Sequence, residues 1–200
     1  MHSKVLLVAL LATVLPQLAG AENPRILEIR NEYNAVAALE ARESENSGDG
    51  AYTHRVSYRN VMPGTGYRNR VVSYFHQDTP NPDGRAGELL QILRKVTVED
   101  NVSAVRFRSE YLFDAEGSLL FYFQREEGFP GGEERFYFSG GELIRVVMEP
   151  LGKTDDPRYM KFRGDEDFPL RFTAAAYEIK RQAAAHLEMF RLLLEHQFID

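Results

Sequence analysis

Four polar side chains in the middle of the chain could form a ligand site. They are a carboxylate, a guanidinium and two phenols, namely Glu110, Tyr122, Arg135 and Tyr137. Side-chain alternation along predicted strands would place them on one polar face of a sheet, where such groups can bind a ligand or transfer protons. Cross-strand pairing of polar side chains explains the same residues without a ligand. They are therefore candidate ligand-binding residues, with a structural role as the alternative.

Several other kinds of chemistry are excluded by the sequence. It contains no Gly-x-Ser-x-Gly nucleophile motif and no Walker loop, and the Gly-Thr-Gly segment at 64–66 lacks the third glycine of a dinucleotide site. It has no cysteine, and its five histidines never occur at the spacing of a compact zinc site. The formal net charge of -6 argues against a nucleic-acid partner. We expect no cofactor, no metal and no nucleic acid.

Hydrophobic spacing predicts two long helices that bracket the central part of the chain. The first is expected from 23 to about 42, with Asn23 as its cap and Pro24 in its first turn. The second is expected from about 169 to 196, where apolar residues recur every three or four positions. Each helix therefore has one apolar stripe that must pack against the rest of the fold.

Between the helices, the pattern changes to the alternation and the β-branched and aromatic content of strands. The expected strands are 52–60, 67–76, 89–98, 103–113, 118–125, 133–138 and 142–148. The short links between them predict antiparallel pairing, because parallel strands need long crossovers. The predicted fold is α+β, a curved antiparallel meander of about six to seven strands packed with an N-terminal and a long C-terminal helix. With 44% hydrophobic and 27% charged residues, 22–200 is expected to form a single domain.

Two tight turns determine the expected strand register. A three-residue loop with a left-handed Gly117, and a two-residue loop at Gly140 and Gly141, suit the two hairpins. The expected cross-strand pairs are Phe113 with Leu119, Tyr111 with Phe121, Glu110 with Tyr122, Phe138 with Leu143, and Tyr137 with Ile144. For the first hairpin this register predicts one apolar face and one charge-matched face.

The N-terminal segment 1–21 has the three regions of a secretory signal. Lys4 provides the positive charge, an apolar run follows at 5–15, and small residues occupy 19–21. We expect cleavage after Ala21, a secreted or periplasmic mature protein, and no transmembrane segment after cleavage, because no later segment is apolar over enough residues.

Several segments resemble small secreted bacterial proteins of uncharacterised families. The resemblance is carried by 110–117 (EYLFDAEG), 119–121, 133–138, Gly141, Leu143, and the helical residues Ile29, Arg30 and Tyr33. It covers the N-terminal helix and the hairpins between 110 and 143. It implies an exported α+β fold and transfers no catalytic residue.

These observations favour an exported, non-enzymatic binding or interaction protein of the bacterial envelope. Its partner is expected to be another protein or an amphiphilic ligand, bound by the sheet surface or by the Gly- and Pro-rich loops. One alternative is a small exported hydrolase or isomerase, with Glu110 and a histidine as its acid and base. The other is a structural component that works as an oligomer.

Overall fold

A computed structural model of the chain describes residues 22–43, 50–64, 66–128 and 130–196. The predicted signal segment therefore lies outside the described residues. The elements are α1 (Pro24–Glu43), β1 (Ala51–Met62), β2 (Gly66–Pro80), β3 (Leu89–Val102), β4 (Val105–Phe113), β5 (Leu119–Glu127), β6 (Gly132–Ser139), β7 (Glu142–Pro150), β8 (Phe162–Gly164) and α2 (Leu170–His196). A single 3₁₀ turn, Pro157–Tyr159, precedes β8.

The strands form one sheet in which spatial order equals chain order, and every neighbouring pair is antiparallel. The predicted α+β meander is thus confirmed, but the described sheet has eight strands instead of six to seven. The additional strand, β8, has only three residues. A segment that short shows no alternation that could distinguish it from a loop.

The two helices pack on opposite faces of the sheet. One buried cluster joins α2, through residues such as Ile179, to Tyr111 and Phe113 on β4. The other joins α1, through residues such as Ile29, to Leu112 on the same strand. Because successive strand residues point to opposite faces, both faces are apolar here. The expectation of one apolar and one charge-matched face is therefore wrong.

Both helices run across the strands, towards β1. At the start of α1, Arg25 N donates to the side chain of Asn23 over 2.9 Å, which is the predicted cap. Glu22, beside this end, accepts from Arg145 on β7 at 2.7 Å. On the other face, α2 carries Phe190 to the β1 edge, where it contacts His54. No helix within the described ranges is both long and apolar enough to cross a membrane.

The β4–β5 register differs from the expected one by a single residue. The pairing of Phe113 with Leu119 is confirmed, and Gly117 has φ +83 as expected for the turn. Beyond the turn, however, Leu112 pairs with Phe121, which leaves Leu120 as the extra residue of a β-bulge. The observed pairs are consequently Tyr111 with Tyr122 and Glu110 with Phe123, and the two expected pairings are wrong.

A second bulge changes the β6–β7 register in the same way. The pairing of Phe138 with Leu143 is confirmed, but Tyr137 pairs with Arg145 instead of Ile144. Ile144 is therefore the extra residue. In both hairpins the turn itself follows the expected geometry, and the register changes immediately after the first pair.

Candidate functional site

A cavity of about 340 Å³ lies between α1 and strands β5 and β6. Its walls combine apolar and aromatic groups with two guanidinium groups. The lining residues are Ile29, Arg30, Tyr33, Asn34, Phe121, Phe123, Arg135 and Tyr137. Two of the four predicted ligand-binding residues, Arg135 and Tyr137, are among them.

Helix and strand periodicity bring these side chains together. On α1, Arg30, Tyr33 and Asn34 are three and four residues apart, which places them on one side of the helix. On the sheet, Phe121 pairs with Tyr137 and Phe123 pairs with Arg135, so each strand contributes alternate residues to one face. The α1 residues form the roof of the cavity, and the sheet residues form its floor.

The aromatic rings pack in tilted and edge-to-face contacts. The centroids of Tyr33 and Phe121 are 5.4 Å apart at 73°, and those of Phe121 and Tyr137 are 4.8 Å apart at 51°. Aromatic pairs favour these arrangements because ring edges are positive and ring faces are negative. The rings are therefore held in place and provide a preformed apolar surface for a ligand.

Two arginines border these rings. The Arg30 guanidinium lies 5.9 Å from the Tyr137 centroid, and that of Arg135 lies 5.7 Å from the Phe123 centroid. Their side chains are 42% and 28% exposed, so both guanidinium groups reach solvent. Among the described lining residues there is no carboxylate. The charged residues that line the cavity are thus both cations, although the chain as a whole is acidic.

Each of these arginines also has acidic neighbours outside the cavity. Arg30 donates to Glu22 at 2.8 Å. Arg135 binds Glu133, and it donates to Glu149 at 3.2 Å. These partners orient the guanidinium groups and balance part of their charge. A ligand that binds the arginines must therefore share or displace these carboxylates.

Glu110 lies behind the cavity and holds Tyr33 in place. Its side chain is 3% exposed. One oxygen accepts from the Tyr33 hydroxyl at 2.5 Å, and the other accepts from Arg108 Nε at 2.8 Å. Burial, together with this hydrogen bond to Glu110, raises the pKa of the Tyr33 phenol. Tyr33 is consequently a protonated donor with a fixed orientation, and Glu110 does not line the cavity.

The structure places Tyr122 on the opposite face of the sheet, beneath α2. Its ring packs against Tyr111 with centroids 5.0 Å apart, and its hydroxyl donates to Gln124 Oε1 at 2.6 Å. The expected shared face for all four predicted residues is therefore wrong. The bulge at Leu120 is the reason, because it places Phe123 instead of Tyr122 beside Glu110.

Sequence reasoning missed the contribution of α1 to this cavity. The sequence predicts for α1 only an apolar stripe that packs against the rest of the fold. Arg30 and Asn34 flank that stripe, and polar residues beside an apolar helix stripe are the available signal for a partly open helix–sheet contact.

Within the described part of the chain, no three His, Asp or Glu side chains are grouped to hold a metal ion. Comparisons of the chain with family models, with curated proteins and with solved structures give no match. The resemblance to secreted bacterial families therefore stays a prediction.

Proposed function

We propose that this protein is an exported binding protein, which holds a small amphiphilic anion in the cavity between α1, β5 and β6. The observation that carries this proposal is the combination of aromatic walls with Arg30 and Arg135 at one cavity of about 340 Å³. Small-molecule sites are commonly of this size, mostly apolar, and equipped with a few polar groups that orient the ligand.

The lining residues have different roles in binding the ligand. The rings of Tyr33, Phe121 and Tyr137 bury the apolar body of the ligand, since removing apolar surface from water is favourable. The guanidinium of Arg135 binds the anionic head, and Arg30 adds to the positive field. Because both arginines already have carboxylate partners, we expect moderate affinity.

Binding is favoured over catalysis by the arrangement around Glu110. Both of its oxygens already accept hydrogen bonds, from Tyr33 and from Arg108, and it does not line the cavity. A general base must reach the proton that it removes from a substrate. Glu110 therefore acts in this proposal by orienting Tyr33.

The proposal is tested by isothermal titration calorimetry with three ligands that share one apolar chain. The probes are octanoate, octylammonium and 1-octanol, which carry an anionic, a cationic and a neutral head. We expect saturable binding of octanoate at least tenfold tighter than that of octanol, and no binding of octylammonium, because a charge-assisted hydrogen bond contributes about 1.5–3 kcal/mol. Equal binding of octanoate and octylammonium would contradict the proposal.

Two matched variants locate the site. Arg135→Gln should weaken octanoate binding at least tenfold, because it removes the charged donor. Lys153→Gln removes the same charge from an exposed loop and should leave the affinity unchanged. An Arg135→Gln protein that is folded, as judged by its circular dichroism spectrum, and binds octanoate like the parent would show that the cavity is not the site.

A further inference from the structure

A second concavity, of about 490 Å³, lies on the opposite face of the sheet beside α2. Its lining is mainly polar, in contrast to the cavity under α1. The lining comes from β2 to β5 and from α2, and it includes Arg68, Arg70, Phe107, Ser109, Tyr122 and Gln124. We call it the α2-side groove. It contains Tyr122, the predicted site residue that the first cavity leaves out.

Arg70 is the cation of this groove that lacks an ion-pair partner among the described residues. Asp100 is its direct neighbour across the β2–β3 pair, but both Asp100 oxygens accept from Arg68 Nε, at 3.0 and 3.1 Å. Arg70 makes no ion pair with any described residue, and its Nε is buried without a hydrogen-bond partner there. A buried donor without a partner costs free energy that a bound acceptor would recover.

The other charges of the α2-side groove balance each other. Arg68 is paired with Asp100, and Arg181 is paired with Glu178 at 2.7 Å. Among the charged residues that line the groove, Arg70 is therefore the one without an ion pair to a described residue. Its field also reaches α2, where burial and then Arg70 lower the pKa of His186 to about 4. A ligand with one negative charge would neutralise the groove.

Hydroxyl and amide groups surround Arg70. Tyr111 donates to Gln182 Oε1 at 2.6 Å, and Tyr122 donates to Gln124 Oε1 at 2.6 Å. Because each glutamine uses its oxygen in this way, its amide nitrogen is oriented as a donor, and that of Gln182 already donates to Glu178 at 2.9 Å. Gln124 therefore offers an NH₂ group to the groove, and Ser109 adds a further hydroxyl.

We propose that the α2-side groove binds a hydroxylated monocarboxylate of the acidic-sugar class. Its carboxylate binds Arg70, and its hydroxyl groups exchange hydrogen bonds with Ser109 and Gln124. The apolar face of the sugar ring packs against Phe107. One unpaired guanidinium matches a single negative charge, whereas a dianion would leave one charge uncompensated in a half-buried site. This site is independent of the proposed cavity under α1, and either can fail alone.

The test is an NMR titration of the ¹⁵N-labelled protein at constant ionic strength, with glucuronate, glucose and inorganic sulfate as probes. We expect glucuronate to shift the amides of β3, β4 and β5 saturably, with an affinity at least tenfold higher than that of glucose or sulfate. Equal affinity for glucose would show that Arg70 is not used. Equal affinity for sulfate would show an anion site that does not recognise a sugar. Either result overturns the proposal.

Matched variants complete the test. Arg70→Gln should weaken glucuronate binding at least tenfold. Arg55→Gln removes the same charge from β1, on the opposite face of the sheet, and should leave the affinity unchanged. Gln124→Glu places a negative charge in the groove and should also weaken glucuronate binding at least tenfold. This second variant tests the same site if the Arg70→Gln protein does not fold. Unchanged affinity in a folded Arg70→Gln or Gln124→Glu variant would refute the assignment.

Discussion

Mild acid should destabilise this protein through His76, which is buried between β1 and α2. The side chain is 1% exposed, and neither ring nitrogen has a hydrogen-bond partner among the described residues. Its ring stacks on His54 with centroids 4.9 Å apart and lies 5.2 Å from Phe190. The groups that face it also include Tyr52, and the Asp78 carboxylate at 3.8 Å. Burial, and then the charge of His54, lower the pKa of His76 to about 4.

The size of the effect follows from proton linkage. The unfolded chain binds a proton on His76 near the ordinary pKa of 6.5, whereas the folded protein does so only near about 4. Stability from this residue is therefore complete above pH 6.5 and is lost as the pH falls towards 4. The loss is about 2 kcal/mol at pH 5 and about 3 kcal/mol at the acid limit. This is a large share of the total stability of a typical domain, about 5–15 kcal/mol.

Urea unfolding at pH 7 and pH 5 measures this loss, because most carboxylates remain ionised over that interval. The parent protein should lose about 2 kcal/mol or more, since His186 also has a pKa lowered to about 4 by burial and by Arg70. His76→Leu removes one titrating group, and it should reduce the pH-dependent loss by about 2 kcal/mol. The reasoning is refuted if His76→Leu loses as much stability between pH 7 and pH 5 as the parent.

Three further substitutions test the packing on each face by urea unfolding. Glu110→Gln should cost about 2 kcal/mol, because two donors lose a buried charged acceptor, and Glu116→Gln on the exposed turn is the control; equal stability of the two variants would contradict this role. Arg145→Ala should lower the free energy of unfolding by about 3 kcal/mol, because Glu22, at the start of α1, and Asp165, before α2, lose their buried cation. A loss below about 0.5 kcal/mol, as for an ordinary surface substitution, would refute this role of Arg145. Phe136→Ala should cost about 3–5 kcal/mol at its fully buried position, and Phe123→Ala, at the half-open cavity, clearly less; the opposite order would show that the core is assigned to the wrong residues.

The helices could be predicted from the sequence because their signals are local. Asn23 and Pro24 mark the start of α1, and the apolar stripes determine the lengths of both helices. The observed bounds, Pro24–Glu43 and Leu170–His196, differ by at most one residue from the predicted ends. Seven strands were likewise predicted from alternation and turn residues, although several extend beyond their expected ends. Local periodicity does not determine which face of the sheet each helix covers, because that depends on long-range packing.

The candidate site could be predicted only in part. Arg135 and Tyr137 were correctly placed on one face, because they are two residues apart on one strand. Their position relative to Tyr122 depends on the register between β4, β5 and β6, and a shift of one residue exchanges the faces. Arg30 precedes Phe121, the first strand residue of the cavity, by more than ninety positions in the chain, and no local pattern contains that contact.

Bulges decide which side chains reach α1. The extra residues are Arg94 on β3, Leu120 on β5 and Ile144 on β7. At each of them two successive side chains face α1: Arg94 and Lys95 bind its glutamates, Leu120 and Phe121 join its buried cluster, and Ile144 packs against that cluster beside Arg145, which binds Glu22. If Leu120 were a regular residue of the ladder, alternation from Leu119 would turn Phe121 and Phe123 towards α2 and Tyr122 towards α1. The bulge at Leu120 therefore turns Phe121 and Phe123 to the cavity under α1 and Tyr122 to the α2-side groove, so both proposed sites depend on one irregularity of β5.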